Sequence, residues 1–161
     1  MERLNSRLEA EGAEFLVLGA LLIEGIAAYK SYARMPGYDL IATNPEKNKS
    51  ARIQVKSRWA TDFDGGFLVK NFECDFIVLV ALNRGYRYGK ARNARSTDGG
   101  KKAPEFYVFP ADVVKRALYR KSKWGKALLR LIDNADQYKE DWSSIKSFLA
   151  LSLVPIAEHT L

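Results

Sequence analysis

The run Asp75–Leu82 (DFIVLVAL) is the most apolar stretch of the chain. It is far shorter than the roughly 20 residues a membrane span needs, and its β-branched content suits a strand. A strand with one wet face alternates apolar and polar residues, whereas unbroken apolarity marks a strand covered on both sides. A chain built around such a strand must therefore supply a layer above the sheet and another below it.

The remaining segments provide those layers. Leu4, Leu8, Phe15, Leu18 and Leu22 recur at helical spacing, which predicts a helix over residues 2–24 with Gly25 as its stop. Strands are expected at 26–32, 38–43 and 51–58, with a turn at Met35-Pro36-Gly37 and a polar turn at 44–50. Residues 67–72 read as a further strand or the return of the polar loop 59–66. Residues 83–103, rich in Gly, Arg, Lys and Asn, read as a long loop, and 105–109 as a strand ended by Pro110. Helices are expected at 111–121 and 138–151, with a third from Trp124 to Asp133. A helix, several strands in succession and then helices argue an α/β fold with a central mixed sheet flanked by helices. No repeat or linker interrupts the 161 residues, so a single domain is expected, with its core over about 9–121 and a helical extension over about 122–161. The absence of a Gly-rich strand-to-helix turn argues against a doubly wound nucleotide-binding fold.

Composition removes several kinds of chemistry. The lone Cys74 forms no intramolecular disulfide and no zinc-ligand pair, and the single His159 lies in the last three residues. The N-terminus lacks the layout of a secretory signal, so a cytoplasmic protein is expected. The net charge of +7 is uneven: residues 1–83 hold 10 Lys/Arg against 11 Asp/Glu, and residues 84–161 hold 16 against 8. A basic half beside a neutral one suits a polyanion held on one side, the alternative being a solubilising surface.

In Arg52-Ile53-Gln54-Val55-Lys56-Ser57-Arg58, alternation puts Arg52, Gln54, Lys56 and Arg58 on one face and turns Ile53 and Val55 to the core. Asp39 begins the preceding strand, and pairing of the two strands brings its carboxylate within reach of the Gln54 amide oxygen and the Lys56 ammonium. Carboxylate, amide and carbonyl oxygens are the donors that Mg²⁺ accepts, and an adjacent lysine can orient the attacking water in phosphodiester hydrolysis. Glu11 and Glu14 are three apart on the first helix. Glu14, at the edge of the apolar stripe, is the better placed to lean into the site. The plain alternatives are a loop-capping role for Asp39, an edge-strand solvent face for Gln54 and Lys56, and an exposed helix position for Glu14.

Gly12-Ala13-Glu14, Tyr38-Asp39-Leu40-Ile41-Ala42, Ile53-Gln54-Val55-Lys56-Ser57 and Asp75-Phe76-Ile77-Val78 follow one another in an order that resembles the PD-(D/E)XK nucleases. The look is closest to Holliday-junction-resolvase-like and intron-homing members, over residues 9–110. The resemblance implies a restriction-endonuclease-like αβββαβ core, dependence on Mg²⁺ (with Mn²⁺ able to substitute) and cleavage of DNA phosphodiester bonds. It implies a homodimer or higher oligomer, since cutting both strands generally takes two sites. Position by position, Asp39 matches the first acidic ligand, Lys56 the motif lysine and Glu14 the helix glutamate. The Val55 carbonyl joins Asp39, Gln54 and Glu14 as an expected metal ligand. The departure is Gln54, where the motif usually carries Asp or Glu. An amide still offers an oxygen but one negative charge fewer. The rival reading is a catalytically weakened nuclease fold that binds nucleic acid.

The segment 84–95 interleaves basic residues with tyrosines. Arg84, Tyr86, Arg87, Tyr88, Lys90, Arg92 and Arg95 are expected to contact nucleic acid, together with Arg52, Ser57 and Arg58 beside the motif: cations neutralise phosphates and tyrosine faces stack on bases. A solvated hairpin tip is the alternative. Trp59, Trp124 and Trp142 are expected in the core or at an interface rather than stacked on bases, and Cys74 as a small buried hydrophobe.

Overall fold

A computed structural model describes residues 5–32, 37–61, 66–86 and 99–153. Helix α1 spans Ser6–Ile23, followed by strands β1 (Ala27–Lys30), β2 (Leu40–Asn44) and β3 (Lys49–Arg58). A short strand β4 (Gly66–Leu68) lies in the connection to β5 (Phe76–Ala81). Then come β6 (Glu105–Pro110), α2 (Ala111–Arg116), β7 (Lys126–Leu128) and α3 (Ser143–Phe148).

Both ends of α1 are specified locally. The Asn5 side chain accepts hydrogen bonds from the N–H groups of Arg7 and Leu8, a standard N-cap. At the other end Gly25 takes φ +76°, Ile26 N–H donates to Leu21 O and Gly25 N–H to Leu22 O. This is the Schellman closure, in which glycine is favoured because φ is positive. Leu21 and Ile26, the flanking hydrophobic pair, are both fully buried.

The five-stranded sheet has the order β1-β2-β3-β5-β6, antiparallel except for the parallel β3–β5 pair. The sheet is mixed and flanked by helices, as the element order predicts. In β5 every residue is buried, and its alternation feeds two separate cores. Phe76, Val78 and Val80 pack with Ala13, Val17 and Leu21 of α1, with Ala51, Ile53 and Val55 of β3, and with Trp142, Ile145 and Leu149 around α3. Ile77 and Leu79 face the other way, into Phe67, Val69, Phe109, Val114 and Ala127.

The expected helix over 124–133 is instead the strand β7, which pairs with β4, followed by a 3-10 turn. Gly125 is the reason: it takes φ +68°, Val69 N–H donates to its carbonyl, and a Cβ there would stand 2.4 Å from Val69 O. Trp124 is exposed, whereas Trp142 is in the core. The helices expected at 111–121 and 138–151 are real but shorter.

Candidate active site

Strand β3 lies in the middle of the sheet, not at its edge, which corrects the expectation of a polar face along its length. Gln54 is buried and Lys56 half-buried, because the second core, with β4 and β7, covers that side. Of the four, only Arg52 is exposed, and it is committed to Asp75: Arg52 N–H, Nε and Nη2 donate to its carboxylate at 2.8, 3.2 and 3.3 Å.

The β2–β3 register pairs Leu40 with Ile53, so Asp39, one residue before β2, stands across from Gln54. Three bonds pin Asp39. Its N–H donates to Ile53 O (2.9 Å), its carbonyl accepts from Ser31 N–H (2.8 Å), and its Oδ2 accepts from Val55 N–H (2.7 Å). Backbone N–H and C=O of one strand residue point to the same side. The Val55 carbonyl is therefore directed to the edge of β3 where Asp39 sits.

The Gln54 Nε2 donates to Gly37 O at 3.1 Å, which orients the amide. Its Oε1 is buried and has no hydrogen-bond partner among the described residues. A buried carbonyl oxygen left unpaired costs about 1–3 kcal/mol, and an incoming donor or cation would relieve that cost. The available donors here are all hard oxygens, which fits a divalent cation such as Mg²⁺. Among the described residues no cluster of three or more His, Cys, Asp or Glu could hold a metal. The formal charge rests on Asp39.

Lys56 makes no hydrogen bond or ion pair with any described residue. Burial depresses its proton affinity, Asp39 partly offsets this, and Lys70 adds to the depression. It lines a cleft of about 310 Å³ between α1 (Ala10, Ala13), the end of β3 (Val55–Arg58) and β4 (Phe67, Leu68). That cleft reaches Val55 and Lys56 but not Asp39 or Gln54. Ser57 Oγ donates to Glu9 Oε1 (3.1 Å), and Arg58 is half-buried.

Glu14 is held by a residue the sequence reading missed. Lys30 Nζ lies 2.6 Å from Glu14 Oε2, also bonds Glu11, and is 4.9 Å from the Phe15 ring centroid. Its side chain is only 7% exposed. Burial pulls the Lys30 pKa down, but the hydrogen bonds to Glu11 and Glu14 outweigh it and the net shift is upward. Burial raises Glu14 above its ordinary value, opposed by the Lys30 bond and reinforced by the nearby Asp39. Alternation from Ala28 to Lys30, toward a helix face carrying Glu11 and Glu14, was the available signal. Burial pushes the Cys74 thiol up to about 11.

Arg84 and Tyr86 are exposed just beyond β5. Arg84 bridges to Lys101, and Asn83 Nδ2 donates to Ala103 O (2.9 Å), closing the base of the loop. Arg87, Tyr88, Lys90, Arg92 and Arg95 lie outside the described residues. Among the described residues no helix is long and apolar enough to cross a membrane.

No family model and no curated protein matches the chain. Among solved structures it is similar to the bacterial homing endonuclease I-Ssp6803I, with a TM-score of 0.56 and 21% identity over 89% of this chain and 93% of that one. It is also similar to Hjc, a Holliday junction resolvase from Archaeoglobus fulgidus, with a TM-score of 0.45 and 18% identity over 77% of this chain and 87% of that one. The chain thus shares its fold with the homing endonuclease, a mixed α/β fold that in this chain has helices flanking a central five-stranded sheet.

Proposed function

We propose that the protein is a metal-dependent endonuclease that hydrolyses phosphodiester bonds of DNA. The carrying observation is the buried Gln54 Oε1, unpartnered among the described residues, across from the pinned Asp39 carboxylate. Asp39, Gln54 Oε1 and the Val55 carbonyl would hold Mg²⁺ or Mn²⁺. A divalent cation in that position supplies charge neutralisation on the phosphate and polarisation of the bond to be broken. The fold shared with a homing endonuclease supports the reaction class.

The residues of the chain do the rest. Asp39 is immobilised before any ligand arrives, so little ordering cost remains on binding. Lys56 Nζ orients the attacking water. Its depressed proton affinity gives it a larger neutral fraction than an ordinary lysine, and only the neutral amine accepts a proton. Glu14 stays with Lys30 and acts on the site through its charge near Asp39. Arg58, Arg84 and Tyr86, with the basic residues up to Arg95, would contact the DNA backbone and bases.

Conversion of supercoiled plasmid to nicked or linear DNA in Mg²⁺ or Mn²⁺ is expected, with loss in EDTA and in Lys56→Ala. No nicking in either metal with any of several DNA structures would sink the proposal. The single formal charge at Asp39, with Gln54 neutral, favours one second reading: a DNA-binding module with a weakened metal site. That reading predicts salt-sensitive binding indifferent to EDTA and to Asp39→Asn.

A further inference from the structure

Helix α1 is apolar on two opposite faces. Ala13, Val17 and Leu21 are fully buried against the sheet. On the outward side Leu8, Phe15, Leu22 and Ile23 are 70, 50, 53 and 87% exposed, and Leu16 is exposed beside them. Leu8, Gly12, Phe15, Gly19 and Leu22 step by four and three, which keeps them in one stripe along the helix. No charged residue interrupts the stripe, and a Cβ on Gly12 or Gly19 would meet nothing within 4 Å. Contiguous apolar surface of this extent on a soluble domain marks an interaction site.

We propose that this face binds the same face of a second copy of the chain, with the two α1 helices antiparallel about a two-fold axis at Phe15. The stripe is its own complement under that operation. Reversal about position 15 sets Leu8 opposite the partner's Leu22 and Gly12 beside the partner's Gly19, so the backbones can approach closely. Glu9, Glu11 and Glu14 fall opposite positions 21, 19 and 16, which are Leu, Gly and Leu, so no like charges meet.

A knob and a groove match as well. Ile23 is the most exposed of the outward residues, and reversal carries it to the level of position 7. There a surface groove of about 540 Å³ opens between Leu8, Gly12 and Leu16 on one side and Trp59 and Leu82 on the other, with Glu9 and Arg84 also in its lining. The two-fold axis seats each Ile23 in the other copy's groove, the self-complementary arrangement an isologous interface requires. At roughly 100 Å² of exposed surface for each large side chain, five residues per copy give about 1,000 Å² in total, near the lower limit of a stable interface.

The dimer does not depend on the chemistry proposed for the site, and mass is measured without reference to cleavage. Light scattering on a sizing column at ~100 µM, well above a micromolar Kd, is expected to give twice the chain mass. Ile23→Glu should shift it to the monomer with unchanged circular dichroism, since the side chain points outward. Leu8→Cys and Leu22→Cys, mixed and oxidised, should cross-link to each other, while neither should cross-link alone; Cys74 is buried and does not interfere. A monomeric wild type, a dimer indifferent to Ile23→Glu, or cross-linking of Leu8→Cys with itself would each overturn the proposal.

Discussion

Lys30 and Lys56 are two lysines withdrawn from water on β1 and β3, the strands that flank β2, and their protonation moves in opposite directions. Lys30 is enclosed by Glu11, Glu14 and the Phe15 ring, and its charged form is favoured. Lys56 has no described ion-pair partner, and its charged form is disfavoured. Burial acts alike on both; the number of carboxylates within hydrogen-bonding distance decides the sign. Lys30 is a strut between α1 and β1, whereas Lys56 carries a destabilised charge facing a cleft. A destabilised charge without a structural purpose is a mark of a functional group.

The two lysines should differ most in what their removal does to activity, and Lys56 carries the larger effect. Lys56→Met should reduce plasmid cleavage by roughly 10²–10⁴-fold, the usual worth of a positioned acid–base group. Its thermal stability should equal or exceed the wild type's, because the penalised charge is gone. A variant that keeps its activity, or unfolds, would make Lys56 another strut.

Lys30→Met should do the reverse. Removing one partner of a buried pair costs about 3–5 kcal/mol, and roughly 3 is expected here because Glu11 is half exposed. Urea denaturation measures it directly. An unchanged midpoint would show that Glu11 and Glu14 need no counter-charge.

The alkaline limb of the stability curve sharpens the contrast. For Lys56 the folded pKa lies below 10.5, so the unfolded chain binds more protons in that window and stability rises as pH climbs toward 10.5. For Lys30 the folded pKa lies above 10.5, so its contribution is whole below that value and is lost as pH rises through the folded pKa. Melting temperatures against pH should lose the rising component in Lys56→Met and the falling one in Lys30→Met. Equal slopes in both variants would remove the distinction.

The smallest expected effect concerns Cys74. With its thiol pushed up to about 11, native protein at pH 8 should resist iodoacetamide and react only on unfolding. Rapid native labelling would mean a thiolate near Lys56, and that lysine would no longer lack a second anionic neighbour.

Local pattern was enough for much of this protein. The unbroken apolarity of Asp75–Leu82 required a sheet covered on both faces, and β5 feeds two cores as that demands. Asn5 and Gly25 delimit α1 through bonds spanning at most five residues. The opposition of Asp39 and Gln54 was legible too, because a short antiparallel connection leaves little choice of register. Alternation could say which face of β3 carries Gln54 and Lys56, but not what covers it. That layer comes from β4 and β7, far along the chain, and β7 is a strand through a backbone approach at Val69 that no periodicity announces. Whether a lysine is a strut or a strained charge was likewise undecided, since pKa depends on distance in space and on solvent. Tertiary structure alone brought Glu11 and Glu14 onto Lys30 and left Gln54 Oε1 without a partner among the described residues.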